Sequence, residues 1–96
     1  MSYFAVVLTG TGIKVPSVPE PVIGFFTTRC VKASDAESAA EIAKRIVLRE
    51  WEEGEYKQSN IGQLPALETE EVHEIGFLSR FFSKRPNKGY TFYSQE

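Results

Sequence analysis

The sequence predicts an α+β fold, a four-stranded and mainly antiparallel sheet in the order β-β-α-β-β with one main helix on one face. Runs of β-branched and aromatic residues near both ends of the chain are typical of strands. In the middle, the strand-like segment IGFFTTRCVKA is followed at once by the amphipathic segment SDAESAAEIAKRIVLREW. Since one helix of about five turns covers only one face of such a sheet, the other face is expected to be open.

The length of 96 residues predicts a single domain, residues 1–96. Hydrophobic residues make up 42% and charged residues 25%, which is ordinary for a globular chain. No apolar run is long enough for a membrane span, and the start MSYFAVV does not resemble a signal peptide. The lone Cys30 has no partner for an internal disulfide. We therefore expect a cytoplasmic protein without cofactor or metal.

The first strand is predicted over residues 2–9, SYFAVVLT. Both of its alternating sets of side chains are largely apolar, which favours a central position in the sheet. The helix would cover one face, and a partner subunit the other. Residues 10–21 are then a long, proline-rich loop. The Gly10-Thr11-Gly12 turn that opens it lacks the third glycine and the helix of a dinucleotide-binding turn.

The second strand is predicted over Val22–Ala33. Alternation places Phe25, Thr27, Arg29 and Val31 on one face and Phe26, Thr28 and Cys30 on the other. Cys30 lies between two cations in the sequence, Arg29 and Lys32. Neighbouring cations are typical of reactive thiols. A buried structural cysteine is nevertheless the favoured interpretation.

The main helix is predicted to begin after Ser34 and to end before Gly54. Ser34 and Glu37 have the spacing of a capping box, and Gly54 is expected at C′. Apolar residues recur at spacings of three and four through the segment. Three large side chains of this stripe are expected to give most of its buried area: Ile42, Ile46 and Trp51. The acids at the end of the helix, among them Glu50, are expected to contact basic parts of the chain rather than a cation.

Residues 55–65 are predicted to form a loop. Residues 66–76 fit either a strand, with Leu67, His73 and Ile75 on one face, or a helix. We choose the strand because the main helix needs a return strand to complete a crossover. His73 is then expected to be a structural histidine rather than a catalyst.

The C-terminal part is predicted to hold one helical turn over residues 78–82 and a turn over residues 86–89. A strand over residues 89–94 then ends the sheet. In that strand, alternation separates Tyr90 and Phe92 from Thr91 and Tyr93.

The segment Lys88-Gly89-Tyr90-Thr91-Phe92-Tyr93 resembles part of the RNA-recognition-motif signature. That resemblance implies stacking of single-stranded bases on Tyr90 and Phe92 beside Lys88. Thr91 departs from the motif, which has glycine or alanine at this position, and the net charge of −2 is unfavourable for nucleic acid.

Two further resemblances concern the fold. The segment VPSVPEPVIGFFTTRCVKASDAESAAEIA resembles antitoxin domains in which a proline-rich turn and a strand precede a helix. The segment GFFTTRCVKASDAESAAEIAKRIV, together with GYTFY near the end, is similar to small uncharacterised bacterial α+β proteins of the ferredoxin-like or dimeric α+β barrel type. This second likeness implies a ferredoxin-like fold and specifies no activity.

Three kinds of function remain open. We rank first a non-enzymatic binding or assembly module that forms a homodimer through the open sheet face. The second is a dimeric α+β barrel that binds a small molecule and is possibly an enzyme, with Arg29, His73 and Tyr90 as polar anchors. The third is single-stranded nucleic-acid binding through Lys88, Tyr90 and Phe92. No catalytic residue is predicted.

Overall fold

The structure is a computed structural model that describes residues 2–17, 20–54, 56–75 and 90–94. It contains an antiparallel four-stranded sheet and one main helix, which confirms the predicted α+β class. In chain order the elements are β1 (Ser2–Val15), β2 (Val22–Ala33), α1 (Ala36–Glu53), α2 (Tyr56–Ser59), β3 (Ala66–Ile75) and β4 (Tyr90–Ser94). The helical turn predicted over residues 78–82, the turn over residues 86–89 and Lys88 lie outside the described residues.

The sheet has the strand order β3-β1-β2-β4. β1 pairs antiparallel with both β2 and β3, so the prediction of a central first strand is confirmed. Because β2 and β3 flank β1 in the same direction, α1 connects two parallel strands across the strand between them. β4 extends the other edge by pairing antiparallel with β2. Among the described residues, no helix combines the length and the apolar character that crossing a membrane requires.

β1 is longer than predicted, because it continues past residue 9 to Val15. Pairing with β2 runs without interruption to Thr11 opposite Gly24 and resumes with Val15 opposite Val22. The irregularity between them includes Gly12, whose φ of 88° suits glycine. The connection between the first two strands is therefore residues 16–21, shorter than the loop predicted over residues 10–21.

The core lies between the sheet and α1. Register and burial place alternate side chains of β1 and β2 on this helix face: Phe4, Val6, Leu8, Phe25, Thr27, Arg29, Val31 and Ala33. Phe25 lies opposite Gly10, where an added Cβ would come within 2.2–2.8 Å of its ring carbons. The missing side chain of Gly10 thus lets the Phe25 ring lie flat over β1. That ring stacks on Trp51 with centroids 5.3 Å apart.

α1 packs on the sheet through a narrow stripe. Its buried residues recur every four positions: Ala39, Ala43, Val47 and Trp51. The small alanines let the helix lie close to the strands, and Trp51 gives the stripe its one large buried side chain. Ile46 was expected to be buried, and this is wrong, since it is 40% exposed. At about 100° per residue it lies about 80° from the centre of the row from Ala39 to Trp51, at the side of the helix rather than on the part that faces the sheet.

The helix begins one residue later than predicted. Asp35, not Ser34, is the N-cap, and its carboxylate accepts a hydrogen bond from the backbone N–H of Ser38 at 2.7 Å. Gly54 caps the other end by donating its N–H to the Glu50 carbonyl at 2.9 Å. Its backbone is extended rather than left-handed, with φ −87°. A four-residue helix, α2, follows where only loop was predicted.

β3 confirms the strand chosen for residues 66–76. Its pairing with β1 shifts register at the Val7–Leu8 step, so that Val7 lies opposite Glu71 and Leu8 opposite Thr69. Glu70 is the extra residue of this bulge. Leu67 therefore lies on the helix face and His73 on the opposite face, which corrects the prediction that the two share one.

The N-cap assignment predicts a pH-dependent difference between neighbouring variants. The hydrogen bond from the Ser38 backbone N–H holds the pKa of the Asp35 carboxyl below its ordinary value. A lowered folded-state pKa stabilises the fold above the unfolded pKa, and this contribution is lost as the pH falls through the folded value. In urea unfolding, Asp35→Ala should lower the midpoint at pH 7, and its deficit should shrink below about pH 4. Ser34→Ala is the control, and an equal loss in both variants would contradict the assignment.

Candidate functional site

A buried ion pair joins β2 to the end of α1. Strand alternation points Arg29 towards the helix, where its side chain is 7% exposed. Its guanidinium donates from Nη1 to Glu50 Oε2 at 2.7 Å and from Nη2 to Glu50 Oε1 at 3.0 Å. Nε donates to Thr27 Oγ1 at 3.1 Å. This two-bond geometry is the strongest form of an arginine–carboxylate contact. It also fits the expectation that the acids at the helix end contact basic residues.

Tyr90 brings β4 into the same cluster. Its hydroxyl donates a short hydrogen bond to Glu50 Oε1, and its ring centroid lies 5.2 Å from the Arg29 guanidinium carbon. Burial, together with the hydrogen bond and negative charge of Glu50, raises the pKa of Tyr90 well above its ordinary value. The tyrosine is therefore a neutral hydrogen-bond donor at any physiological pH.

Five aromatic rings surround this polar cluster, and Trp51 lies at their centre. Its neighbours are Phe25 at 5.3 Å, Tyr56 at 4.7 Å, Tyr90 at 5.9 Å and Phe92 at 6.4 Å between centroids. The Phe25 and Tyr56 rings stack on the indole, while Tyr90 and Phe92 meet it edge-on. Such pairs add to the free energy of burial. The rings therefore fasten β4 and α2 to the end of α1.

The hydrogen bonds of this cluster stabilise the packing of β2, α1 and β4 against one another. Both Glu50 oxygens already accept hydrogen bonds from Arg29, and one accepts from Tyr90 as well. Among the described residues of the cluster, the Glu50 carboxylate is therefore engaged in hydrogen bonds that hold the fold together. Two open clefts of about 420 and 530 Å³ lie elsewhere, along α1, and both are lined by Glu41 and Arg45.

The three polar anchors predicted for a small-molecule site lie on two different faces of the sheet. Arg29 and Tyr90 contact each other on the helix face, but His73 lies on the opposite face, across from Ala5. The His73 side chain is 64% exposed, and its Nε2 lies 3.6 Å from Glu71 Oε1. His73 is therefore largely exposed and not on the mainly apolar face where the strand pattern placed it, and its expected structural role stays a prediction. No described pocket joins these three residues, and this arrangement does not favour a shared small-molecule site.

Phe92 also lies on the helix face, opposite Phe25. The resemblance to the RNA-recognition motif implies rings that are exposed for stacking on bases, whereas Tyr90 and Phe92 pack against protein rings. Lys88 lies outside the described residues. The described geometry therefore does not favour nucleic-acid binding through this strand.

The sheet face opposite α1, called the open face from here on, bears side chains from all four strands. None of the described elements packs over it. Register assigns to it Tyr3, Ala5, Val7 and Thr9 of β1, Phe26, Thr28, Cys30 and Lys32 of β2, Glu68, Glu71, His73 and Ile75 of β3, and Thr91 and Tyr93 of β4. Its centre, formed by β1 and β2, is uncharged apart from Lys32 at one end.

Two contacts give the open face its shape. Phe26 is 46% exposed and its ring leans on Tyr93 with centroids 5.6 Å apart. Lys32 Nζ lies 5.7 Å from the centroid of the Tyr3 ring. Cys30 lies between these two contacts and is half-buried. Among the described residues, no group of three or more histidine, cysteine or acidic side chains is placed to hold a metal ion.

No motif in the sequence singles out Glu50 or Trp51 as partners of Arg29 and Tyr90. The one available signal was the odd charge of the helix end, where Glu50 opposes the helix dipole and so needs a cation nearby. Comparisons of the chain with protein-family models, curated proteins and solved structures find no match. The geometry of the described residues is therefore the only basis for a proposed function.

The ion pair predicts an asymmetry between two acids at the end of α1. Glu50→Ala leaves the buried guanidinium of Arg29 without a carboxylate and should lower the free energy of unfolding by about 2 kcal/mol, since Glu50 is partly exposed. Glu53 pairs only with the exposed Arg49, so Glu53→Ala should cost less than about 0.5 kcal/mol. Urea unfolding followed by circular dichroism measures both, and similar costs would refute the role of Glu50.

Proposed function

We propose that the protein is a non-enzymatic assembly module that pairs with a second copy of itself through the open face. The observation that carries this proposal is the uncharged centre of that face, where the Phe26 ring is 46% exposed. A four-stranded sheet with one helical layer leaves such apolar surface in contact with water. A second sheet laid against it would remove that surface from solvent.

The charges of the open face support a second copy as the occupant. Lys32 lies at the end of the sheet that is level with Tyr3, and Glu68 lies at the other end, level with Thr9. A two-fold axis that runs across the strands exchanges the two ends of the sheet. Where this axis is oblique to the strands, it brings Lys32 of one copy towards Glu68 of the other, so that opposite charges meet at both ends.

The outer edge of β3 supports face pairing over edge pairing. Four of its ten residues are acidic: Glu68, Glu70, Glu71 and Glu74. Two such edges would bring like charges together, which is a common way to prevent strands from pairing between molecules. The open face has fewer charges and has charges of both signs.

The size of the face sets the expected affinity. Four strands about 4.8 Å apart, with about nine paired residues on average, give an area of roughly 500–600 Å² per copy. The two copies together would bury about 1,000–1,200 Å², just below the range of stable interfaces. We therefore expect a dimer with a dissociation constant in the micromolar range.

The dimer is tested by size-exclusion chromatography with light scattering between about 10 and 500 µM. The mass should rise towards twice the 10.8 kDa of one chain. Phe26→Asp puts a charge at the centre of the face and should weaken dimerisation at least about tenfold. The matched control is Ile46→Asp, at a similarly exposed apolar position on the helix side. It should leave the dimer unchanged.

Cys30 gives a second readout from the native chain, because it is the one cysteine and lies on the open face. Its alkylation by iodoacetamide should slow as the wild-type concentration rises, and should stay fast in the Phe26→Asp variant. A wild-type chain that stays monomeric at about 500 µM would overturn the proposal. So would equal effects of the two aspartates.

A further inference from the structure

The site that holds β4 is built to recognise a particular strand. It consists of the edge of β2, the ion pair of Arg29 with Glu50, and the rings of Trp51 and Tyr56. Tyr90 fills the polar part, with its hydroxyl on Glu50 and its ring beside Arg29. Two residues later, Phe92 fills the apolar part, with its centroid 5.8 Å from that of Tyr56. The site therefore selects an extended Tyr-x-Phe segment.

The next position of the strand is recognised as well. Tyr93 lies over Gly24 on the other side of the sheet, where an added Cβ would come within 2.2–2.7 Å of the phenol. A larger residue at position 24 would displace the ring. Three aromatic side chains in four positions thus have matched places on β2 and α1, while the backbone of the strand pairs with β2.

The strand that fills this site is the least buried in the sheet. None of the five residues of β4 is buried, and three of them are exposed. Its pairing with β2 is also irregular between Val22 and Gly24. A short edge strand of this kind has low local stability and opens more readily than the central strands.

The connection to β4 is longer than its path requires. Ile75 is level with Lys32 through Tyr3, and Tyr90 is level with Thr27, three strands across. This places the two ends of the connection roughly 22 Å apart. The fourteen residues 76–89 between them span up to about 50 Å when extended. The connection is thus long enough for β4 to reach the same site on a neighbouring chain.

We propose that the β2–Glu50–Trp51 site is a strand-acceptor site, and that its second occupant is β4 of another copy of this chain. Two copies exchange β4 and make in each direction the contacts that one copy makes within itself. The exchanged strand meets the same Glu50 carboxylate and the same rings, so no new surface is needed. This association uses mainly the helix face of the sheet, and it meets the open face at Tyr93, which contacts Phe26.

Trp51 reports on the site, because it is the one tryptophan of the chain and touches the strand. The probe is the peptide KGYTFYSQE, residues 88–96, which contains no tryptophan. The receptor is the full chain with Phe92→Ser, which loosens its own β4 and should shift the Trp51 emission to longer wavelength. Added peptide should reverse the shift, with a midpoint of about 10–100 µM.

Two changes test the chemistry of recognition. Glu50→Gln in the receptor should weaken peptide binding at least about tenfold, and Glu53→Gln is the control that should not. A peptide with Tyr90→Phe should also bind about tenfold more weakly. If circular dichroism shows that Phe92→Ser unfolds the chain, Tyr90→Phe replaces it as the receptor. No reversal of the shift at about 1 mM peptide, or a midpoint unaffected by Glu50→Gln, would overturn the acceptor site.

The second copy is tested in an Ala5→Asp background, which puts an unfavourable charge on the open face at a position of β1, a strand that does not pair with β4. The concentrated chain is warmed to its unfolding midpoint and cooled, and should then contain a dimer that dissociates slowly on dilution. An excess of the peptide present during cooling should suppress that dimer. A chain that is only monomeric after this treatment would overturn strand exchange, whatever the wild-type chain does through its open face.

Discussion

The buried guanidinium of Arg29 is the constraint on which the arrangement around the sheet depends. A cation on the helix face of β2 has to be paired, because an unpaired buried charge costs several kcal/mol. Glu50 supplies the carboxylate from the last turn of α1, and the same carboxylate receives the Tyr90 hydroxyl from β4. One ion pair therefore ties three elements together that are distant along the chain.

Aromatic packing makes this polar contact possible. Phe25 lies flat over Gly10 and carries Trp51 on its other side, so that the end of α1 is held close to β2. The rings of Tyr56 and Phe92 exclude water from one side of the cluster. In this drier environment the hydrogen bonds of Glu50 are stronger than they would be at the surface. Packing and charge thus stabilise the same place, and neither would hold β4 alone.

The sequence was most informative where one periodicity ran without interruption. β2 was predicted with its observed bounds and faces, since its pairing with β1 is regular from Gly24 to Ala33 and the period of two alone assigns its side chains to faces. The bulge at Glu70 could not be predicted. The run ETEEV does not alternate between apolar and polar residues, so an extra residue leaves no break in the pattern. That bulge moved His73 to the other face and divided the predicted anchors. Likewise, Ser34 and Asp35 both suit an N-cap, and only the observed bond to Ser38 chooses between them.

The two faces of the sheet differ in how completely their contacts are satisfied. On the helix face, Arg29 and Glu50 meet partners within the chain, and the residues are held in one arrangement. On the open face, Phe26 contacts the Tyr93 ring and is 46% exposed among the described residues. Phe26 and Thr27 are neighbours in β2, yet they point to opposite faces and belong to different surfaces. The two proposed associations meet in β4, since Tyr93 of the exchanged strand contacts Phe26 of the open face, and a chain that used both would form assemblies larger than a dimer.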